Sequence, residues 1–394
     1  MLSTSEAWQS IVAHSQSLEP IQLPLAEALG RTLRLEARAD ADSPPFDASA
    51  MDGYAIARLD GPASLRIIGE AQAGRPFAGR IGAGECVRIF TGAPVPDGTE
   101  RVIKQEDVTR EGDQVLVTPR DGPAYIRRRG ENRRAGAPLI PAGALLGPAE
   151  LAGLAAAGIT APTVTRAPWV VHLVTGNELV PPDQTPAIAQ IRDSNSTLVA
   201  ALLGRTGAVL AGHAHARDDL AAAKEVAATL PAHDLLLISG GASVGDHDFA
   251  RPLLEALGFT LHFHILNLRP GKPLVFASRG AQLAFALPGN PVSHWVVYHL
   301  FVGPLLQRLQ SGATAGPTRL VGRLARQSWL PSADARQTFW PSRVSVVNGA
   351  YEIAPMPLAS SGDSAGLVGA NALLVMPSTP GLDTEKNVEF ILCP

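Results

Sequence analysis

The sequence predicts a multi-domain protein that joins an α/β domain to β-rich domains, and three observations carry this. The chain has 394 residues, more than a single hydrophobic core serves, because cores stop growing near ~250–300 residues. Between about 167 and 308, apolar strand-like runs alternate with helical ones, the pattern of a parallel sheet covered by helices on both faces. Before and after this stretch, short apolar runs are cut by Gly and Pro, which number 38 and 33 and follow no collagen-like period.

Taken in order, Ser3-Thr4-Ser5-Glu6 is a capping-box pattern ahead of Trp8, Ile11 and Val12, which repeat at helical spacing. A short second helix is expected over Leu23 to Leu29. From Pro44 to about Thr118, runs such as Leu65-Arg66-Ile67-Ile68, Cys86-Val87-Arg88-Ile89-Phe90 and Arg101-Val102-Ile103-Lys104 read as a small β-rich module. Pro148 to Ala157 is Ala/Leu-rich and stops at Gly158, a helix with a glycine C-cap. The α/β stretch offers strands at Trp169–Val174, Ala208–His213, Leu235–Ile238, Leu261–Leu266 and Leu283–Leu287. Its helices fit Asn195–Leu203, Asp218–Leu230, Phe249–Leu257 and Pro291–Leu309. After Gly316 the helices stop, and runs including Leu320-Val321, Phe339-Trp340, Val344–Val347, Leu373–Met376 and Val388–Leu392 suggest an all-β terminal domain or barrel.

Composition removes several function classes. With 33 Lys+Arg against 36 Asp+Glu the net charge is −3, which argues against a general nucleic-acid binder. The 46% hydrophobic content is that of a folding chain. No run of 18 apolar residues and no secretory layout at the N-terminus lead us to expect a cytoplasmic protein without a membrane span. The only two cysteines, Cys86 and Cys393, read as reduced thiols.

In an open α/β sheet, ligands bind beyond the carboxyl ends of the strands. Three polar loops follow such ends: Thr175-Gly176-Asn177-Glu178-Leu179, Ser239-Gly240-Gly241-Ala242-Ser243-Val244-Gly245-Asp246-His247-Asp248, and Pro288-Gly289-Asn290-Pro291-Val292-Ser293. Singly, each glycine loop reads as an ordinary strand-to-helix turn. Together on one rim, with the N-terminus of the helix near Pro291, they favour a phosphate or another oxyanion. Carboxylates gather there too: Glu178, Asp193, Asp218, Asp219, Asp246 and Asp248. Hard oxygen ligands beside phosphates are the usual seat of Mg²⁺. Asp193 and Asp218 also fit helix caps, Asp219 fits a cap best, and Glu178 and Asp248 fit function best. Arg269-Pro270-Gly271-Lys272-Pro273 suits an anion clamp or a surface turn. The basic run Arg127 to Arg134 suits an oxyanion clamp or a solvated face. Two His-x-His pairs, His213 with His215 and His262 with His264, place both rings of a pair on one strand face; core or strand-end histidines describe them better than metal ligands.

Seven motifs then appear in a family's order: Asp47-Ala48-Ser49-Ala50-Met51-Asp52-Gly53-Tyr54-Ala55, Thr91-Gly92-Ala93-Pro94, Ile126-Arg127-Arg128-Arg129-Gly130-Glu131, Thr175-Gly176-Asn177-Glu178-Leu179, Ser239-Gly240-Gly241-Ala242-Ser243-Val244-Gly245, Arg269-Pro270-Gly271-Lys272-Pro273 and Pro288-Gly289-Asn290-Pro291. Over essentially its whole length the chain resembles the molybdopterin molybdenumtransferases, the family of bacterial MoeA and the gephyrin E domain. The resemblance implies four domains: an elongated N-terminal/linker domain over 1–46 with 128–166, a β-rich module over 47–127, a MogA-like, parallel-sheet α/β molybdopterin-binding domain over 167–312, and a C-terminal β-barrel over 313–394. It implies insertion of molybdenum from molybdate into adenylylated molybdopterin with Mg²⁺ and release of AMP. It also implies a homodimer with a shared active site, with contacts to the molybdopterin adenylyltransferase and to apo-molybdoenzymes, and neither nucleic acid nor membrane as partner.

Carried over by motif, Asp52, Glu178, Asp218, Asp248 and Lys272 would be catalytic. Thr91, Arg127, Asp193, Ser194, Asn195, Gly240, Gly241, Ser243, Arg269, Pro288 and Pro291 would bind substrate. Glu178, Asp218, Asp246 and Asp248 would hold the metal, while Asp52, Thr91 and Arg127 would reach the site from the second subunit. The loop Ser360-Ser361-Gly362-Asp363 resembles a family loop near the substrate. The chain departs from the family at Asn132, usually an aspartate, and at Ile265, a lysine in several members. Adenylylation of molybdopterin and a non-catalytic scaffold role, or a paralogue with weakened activity, are the competing readings.

Overall fold

The computed structural model describes all residues except 119–120, 243–248, 327, 333, 378–386 and 394, and the backbone alone at Ala242. The chain forms two compact units. One holds Met1–Ile21, Gly30–Arg34 and Thr163–Pro394; the other holds Gln22–Leu29 and Leu35–Pro162.

In the first unit, helix α1 (Thr4–Ala13) begins with the expected capping box. The Glu6 amide donates to Ser3 Oγ at 3.2 Å, and the Ser3 amide donates to Glu6 Oε2 at 2.8 Å. A six-stranded sheet follows in the order Val209–Ala216, Trp169–Thr175, Leu235–Ala242, Gln282–Pro288, Val275–Arg279, Thr260–Phe263. Its first four strands are parallel, as the strand-helix alternation implied. The strand Val275–Arg279 was not anticipated; it forms a hairpin with Gln282–Pro288 and pairs antiparallel with both its neighbours, so the sheet is mixed.

Side chains on successive strand residues point to opposite faces, and the core divides accordingly. Val170, Leu235, Leu237, Leu283 and Phe285 join one apolar cluster with α1, α3 (Asn195–Arg205) and the run α6 (Pro291–Val297) to α7 (Gly303–Ser311). Val171, Leu173, Leu236, Ile238, Ala284 and Ala286 join a second with α4 (Leu220–Ala228) and α5 (Ala250–Ala256). Both faces are dry, which is why these strands read as unbroken apolar runs.

The last strands close on themselves. Gln337–Val347, Ala350–Pro355, Arg319–Leu324, Val388–Leu392 and Ala372–Met376 pair in succession, and the last pairs back to the first. This five-stranded barrel is filled by Val344, Ile353, Leu374, Met376, Val388 and Phe390.

The second unit is built on a six-stranded sheet, ordered Arg101–Lys104, Gly53–Ile56, Glu85–Ile89, Ala63–Ala71, Gln114–Val117, Val108–Glu111. Helix α2 (Pro148–Ala156) ends before Gly158, whose φ is +71°. The helix expected over Leu23 to Leu29 is only a 3₁₀ turn at Leu25–Glu27. Pro24 removes a donor, and the Leu23 and Leu25 amides donate to the Pro162 and Thr160 carbonyls instead of to their own turn. Among the described residues no helix is long and apolar enough to cross a membrane.

Candidate active site

Three neighbouring strands set the rim. Val174 lies opposite Ser239, and Ser239 opposite Leu287, so the loops that follow leave one edge of the sheet. The backbones come very close there. Gly240 has φ +95°, and a Cβ on it would sit 2.3 Å from the Thr175 carbonyl oxygen. Glycine is the residue that tolerates both conditions.

Side chains then tie the loops together. The Asn177 amide donates to Asp218 Oδ2 at 3.1 Å, and the Asp218 amide to Asn177 Oδ1 at 3.4 Å. This brings Asp218 next to the loop that carries the exposed Glu178. Asn195 Nδ2 donates to the Gly289 carbonyl at 2.7 Å, while Asn195 Oδ1 is buried with no hydrogen-bond partner among the described residues. Asp193 receives the Ser196 amide at 3.0 Å and the Ser196 hydroxyl, and Asp219 receives the Ala222 amide at 2.8 Å; both cap helices. Ser194 is exposed beside them. Ser243, Asp246 and Asp248 lie outside the described residues, and among those described no three His, Cys, Asp or Glu side chains gather as a metal cage.

Beside the rim, in the same unit, a cavity of about 670 Å³ opens between the α/β sheet and the barrel. Arg269, Lys272 and Pro288 line it, as do Asn290, Ser332, Arg336 and Ser361, with Trp329 and Trp340 as apolar wall. Pro291 starts α6 at its edge. Asp334 organises the arginines: Arg336 holds it through two bonds of 2.8 and 2.7 Å, and Arg269 Nε lies 3.7 Å from it. Those contacts, Arg336 first, hold the Asp334 carboxyl well below the usual carboxylate range. Arg269 also donates to the Ser332 carbonyl at 2.7 Å and spans the Trp340 ring. Lys272 pairs with no carboxylate among the described residues. Among the described residues, its ammonium is thus open to an anionic guest.

The barrel loop closes the cavity: Asn290 Nδ2 donates to Ser361 Oγ at 2.8 Å, and the Val292 amide to the Ser361 carbonyl at 3.1 Å. Arg336, Ser332 and the two tryptophans were not found from the sequence. They lie some 60 residues from Arg269, in a segment without a motif. The one available signal was Asp334-Ala335-Arg336, a charged pair amid apolar barrel strands.

The remaining candidates belong to the second unit. Asp52 Oδ1 accepts from both the Thr91 amide and hydroxyl at 2.8 Å, which lowers its pKa. Arg127 pairs with Glu131 at 3.1 Å and donates to Asn132 Oδ1 at 2.6 Å. Arg128 pairs with Asp47 at 2.6 Å and Arg129 with Asp42 at 2.7 Å. The basic run is thus largely matched by its own unit's carboxylates. The His-x-His pairs are packed as strand histidines: His215 Nε2 bonds the Gly176 carbonyl, His213 lies against His172, and His262 bonds Ser278 and stacks on His14.

Three family models match in series: the MoeA N-terminal region (domains I and II) at residues 2–158, a probable molybdopterin binding domain at 172–308, and the MoeA C-terminal region (domain IV) at 323–393. A molybdopterin molybdenumtransferase from Nostoc sp. is 35% identical over 364 residues, covering 89% of this chain and 83% of that one. The chain belongs to the molybdopterin molybdenumtransferase family. Another member of the family, from Staphylococcus aureus, is 26% identical across 99% of this chain and 95% of its own. The crystal structure of the molybdopterin biosynthesis MoeA protein from Pyrococcus horikoshii superposes with a TM-score of 0.83 at 29% identity, covering 100% of this chain and 99% of the other. The multi-domain architecture expected from the sequence is therefore that of MoeA, and membership places the chain among transferases of molybdenum cofactor biosynthesis.

Proposed function

We propose that the chain inserts molybdenum from molybdate into adenylylated molybdopterin and releases AMP. The observation that carries this is the cavity itself: Lys272, Arg269 and Arg336, with serine hydroxyls, face one space beside the acidic rim. Tetrahedral oxyanions and phosphates are what forked guanidinium groups and an ammonium hold in common.

In this reading Arg336 and Arg269, oriented by Asp334, hold molybdate, and Lys272 offsets the charge that grows as the phosphoanhydride breaks. Gly240 and Gly241 let backbone approach the pterin phosphate, and Trp329 and Trp340 keep water from one wall. The rim's hard oxygen donors suit Mg²⁺, which needs only one or two carboxylates because phosphate and water supply the rest. Glu178 and Asp218 would hold it, with Asp246 and Asp248. When bound, Mg²⁺ would neutralise phosphate charge at the anhydride.

Incubation with adenylylated molybdopterin, molybdate and Mg²⁺ is expected to release AMP and to yield a cofactor that reactivates an apo-molybdoenzyme. AMP release no greater than without protein refutes the proposal. The reading includes a homodimer in which Asp52, Thr91 and Arg127 complete the partner's site; a solution mass of one chain by light scattering would remove that part.

A further inference from the structure

Beneath the rim lies a chain of polar groups that the proposed chemistry does not use. His172 stands mid-strand in Trp169–Thr175, Ser239 near the end of Leu235–Ala242, and His294 in the first turn of α6. Each is 1% exposed. They share the sheet face of Val170, Leu235 and Leu237, which α6 covers. Ser239 Oγ lies 2.6 Å from His172 Nε2 and 2.8 Å from His294 Nε2.

One hydroxyl has one proton, so it donates to one ring and accepts from the other. The choice follows from the far nitrogens. His294 Nδ1 faces the Asn290 carbonyl at 3.3 Å, an acceptor, and so carries a proton. Neutral His294 then presents a bare Nε2, to which Ser239 donates. His172 must donate its Nε2–H to Ser239, leaving a bare Nδ1. That Nδ1 is buried and has no hydrogen-bond partner among the described residues.

We propose that His294, Ser239 and His172 form a neutral relay of fixed direction, which positions the Ser239-Gly240-Gly241 turn against the Asn290-Pro291 start of α6. Two of the three loops of the rim are joined through it. Both rings stay neutral in this arrangement: a proton added to His294 Nε2 would face the Ser239 hydroxyl proton, and one added to His172 Nδ1 would be buried without an acceptor among the described residues. Burial, first, lowers the His172 pKa to about 3 and that of His294 to about 4. Of the groups that face them, His213 from the neighbouring strand and His294 lower the His172 value further, the Asn290 carbonyl raises that of His294, and Asp193 ahead of α3 raises both, without undoing the effect. Between pH 8 and 5.5 neither ring should titrate.

The functional part of this inference rests on the reading of the rim as the phosphate-bearing site; the tautomers do not. ¹⁵N NMR of histidine-labelled full-length protein, with His172→Asn and His294→Asn used for assignment, should show His172 protonated at Nε2 and His294 at Nδ1 throughout that range. Ser239→Ala should weaken binding of adenylylated molybdopterin about tenfold, the loss of a buried hydrogen-bonded link, and Ser239→Thr, which restores the hydroxyl, should recover it. Like tautomers on the two rings, or titration of either near pH 6.5, overturns the relay. Unchanged affinity in Ser239→Ala overturns its positioning role. Should Ser239→Ala fail to fold, the wild-type tautomers and the affinity of Ser239→Thr still decide. A wild type that releases no AMP would count against the proposed function and leave the tautomers as they are.

Discussion

Lys272→Ala is expected to lower kcat/KM for AMP release by roughly 10²–10³-fold, the usual cost of removing a preorganised charge from the place where charge develops. The cavity's described cations, Arg269, Lys272 and Arg336, differ in what they already hold. Arg336 holds Asp334 by two bonds and Arg269 lies against the same carboxylate, so part of their charge is spent inside the protein. Lys272 has no such partner among the described residues. The turn itself should survive the substitution, because what closes it is the Lys272 carbonyl, which accepts from the Leu266 and Leu274 amides. Circular dichroism and the urea midpoint should therefore match wild type while steady-state AMP release falls. Lys272→Arg should recover part of the rate, since it restores charge with a different donor geometry.

Gly240→Ala should be the most destabilising conservative change on the rim, by about 3–5 kcal/mol in urea unfolding. Two costs coincide: φ +95° lies where side chains are strained, and the new methyl would meet Thr175 backbone oxygen at 2.3 Å and Thr175 Oγ1 at 2.7 Å. Thr175 ends a central strand paired on both sides, so it cannot move away. Gly289 is the control on the same rim. Among the described residues nothing lies within 4 Å of a Cβ there, and its φ is ordinary, so Gly289→Ala should stay within about 0.5 kcal/mol of wild type.

These two loops show what could be read in advance. The strand ends and the glycine punctuation were legible because buried parallel strands leave long apolar runs that stop at polar turns. The hairpin of Val275–Arg279 was missed although Gly280-Ala281 is a two-residue turn. Its apolar run follows Lys272-Pro273 directly and reads as part of the anion-clamp segment. Arg336 was missed for a different reason: tertiary folding alone brings the barrel loop to Arg269, and no local period records it. The relay was hidden in the same way, since His172 interrupts an apolar run once, and its partners lie 67 and 122 positions away in the sequence. The basic run at Arg127 was legible as charge, but only the fold revealed that Asp42, Asp47 and Glu131 match it.

In the proposed reaction this chain couples loss of AMP to gain of molybdenum. The most direct test follows both products in one reaction, measuring AMP by chromatography and protein- or cofactor-bound molybdenum by mass spectrometry as adenylylated molybdopterin is consumed in the presence of molybdate and Mg²⁺. The two should rise together in equal amounts. AMP that accumulates while no molybdenum enters the pterin would contradict it.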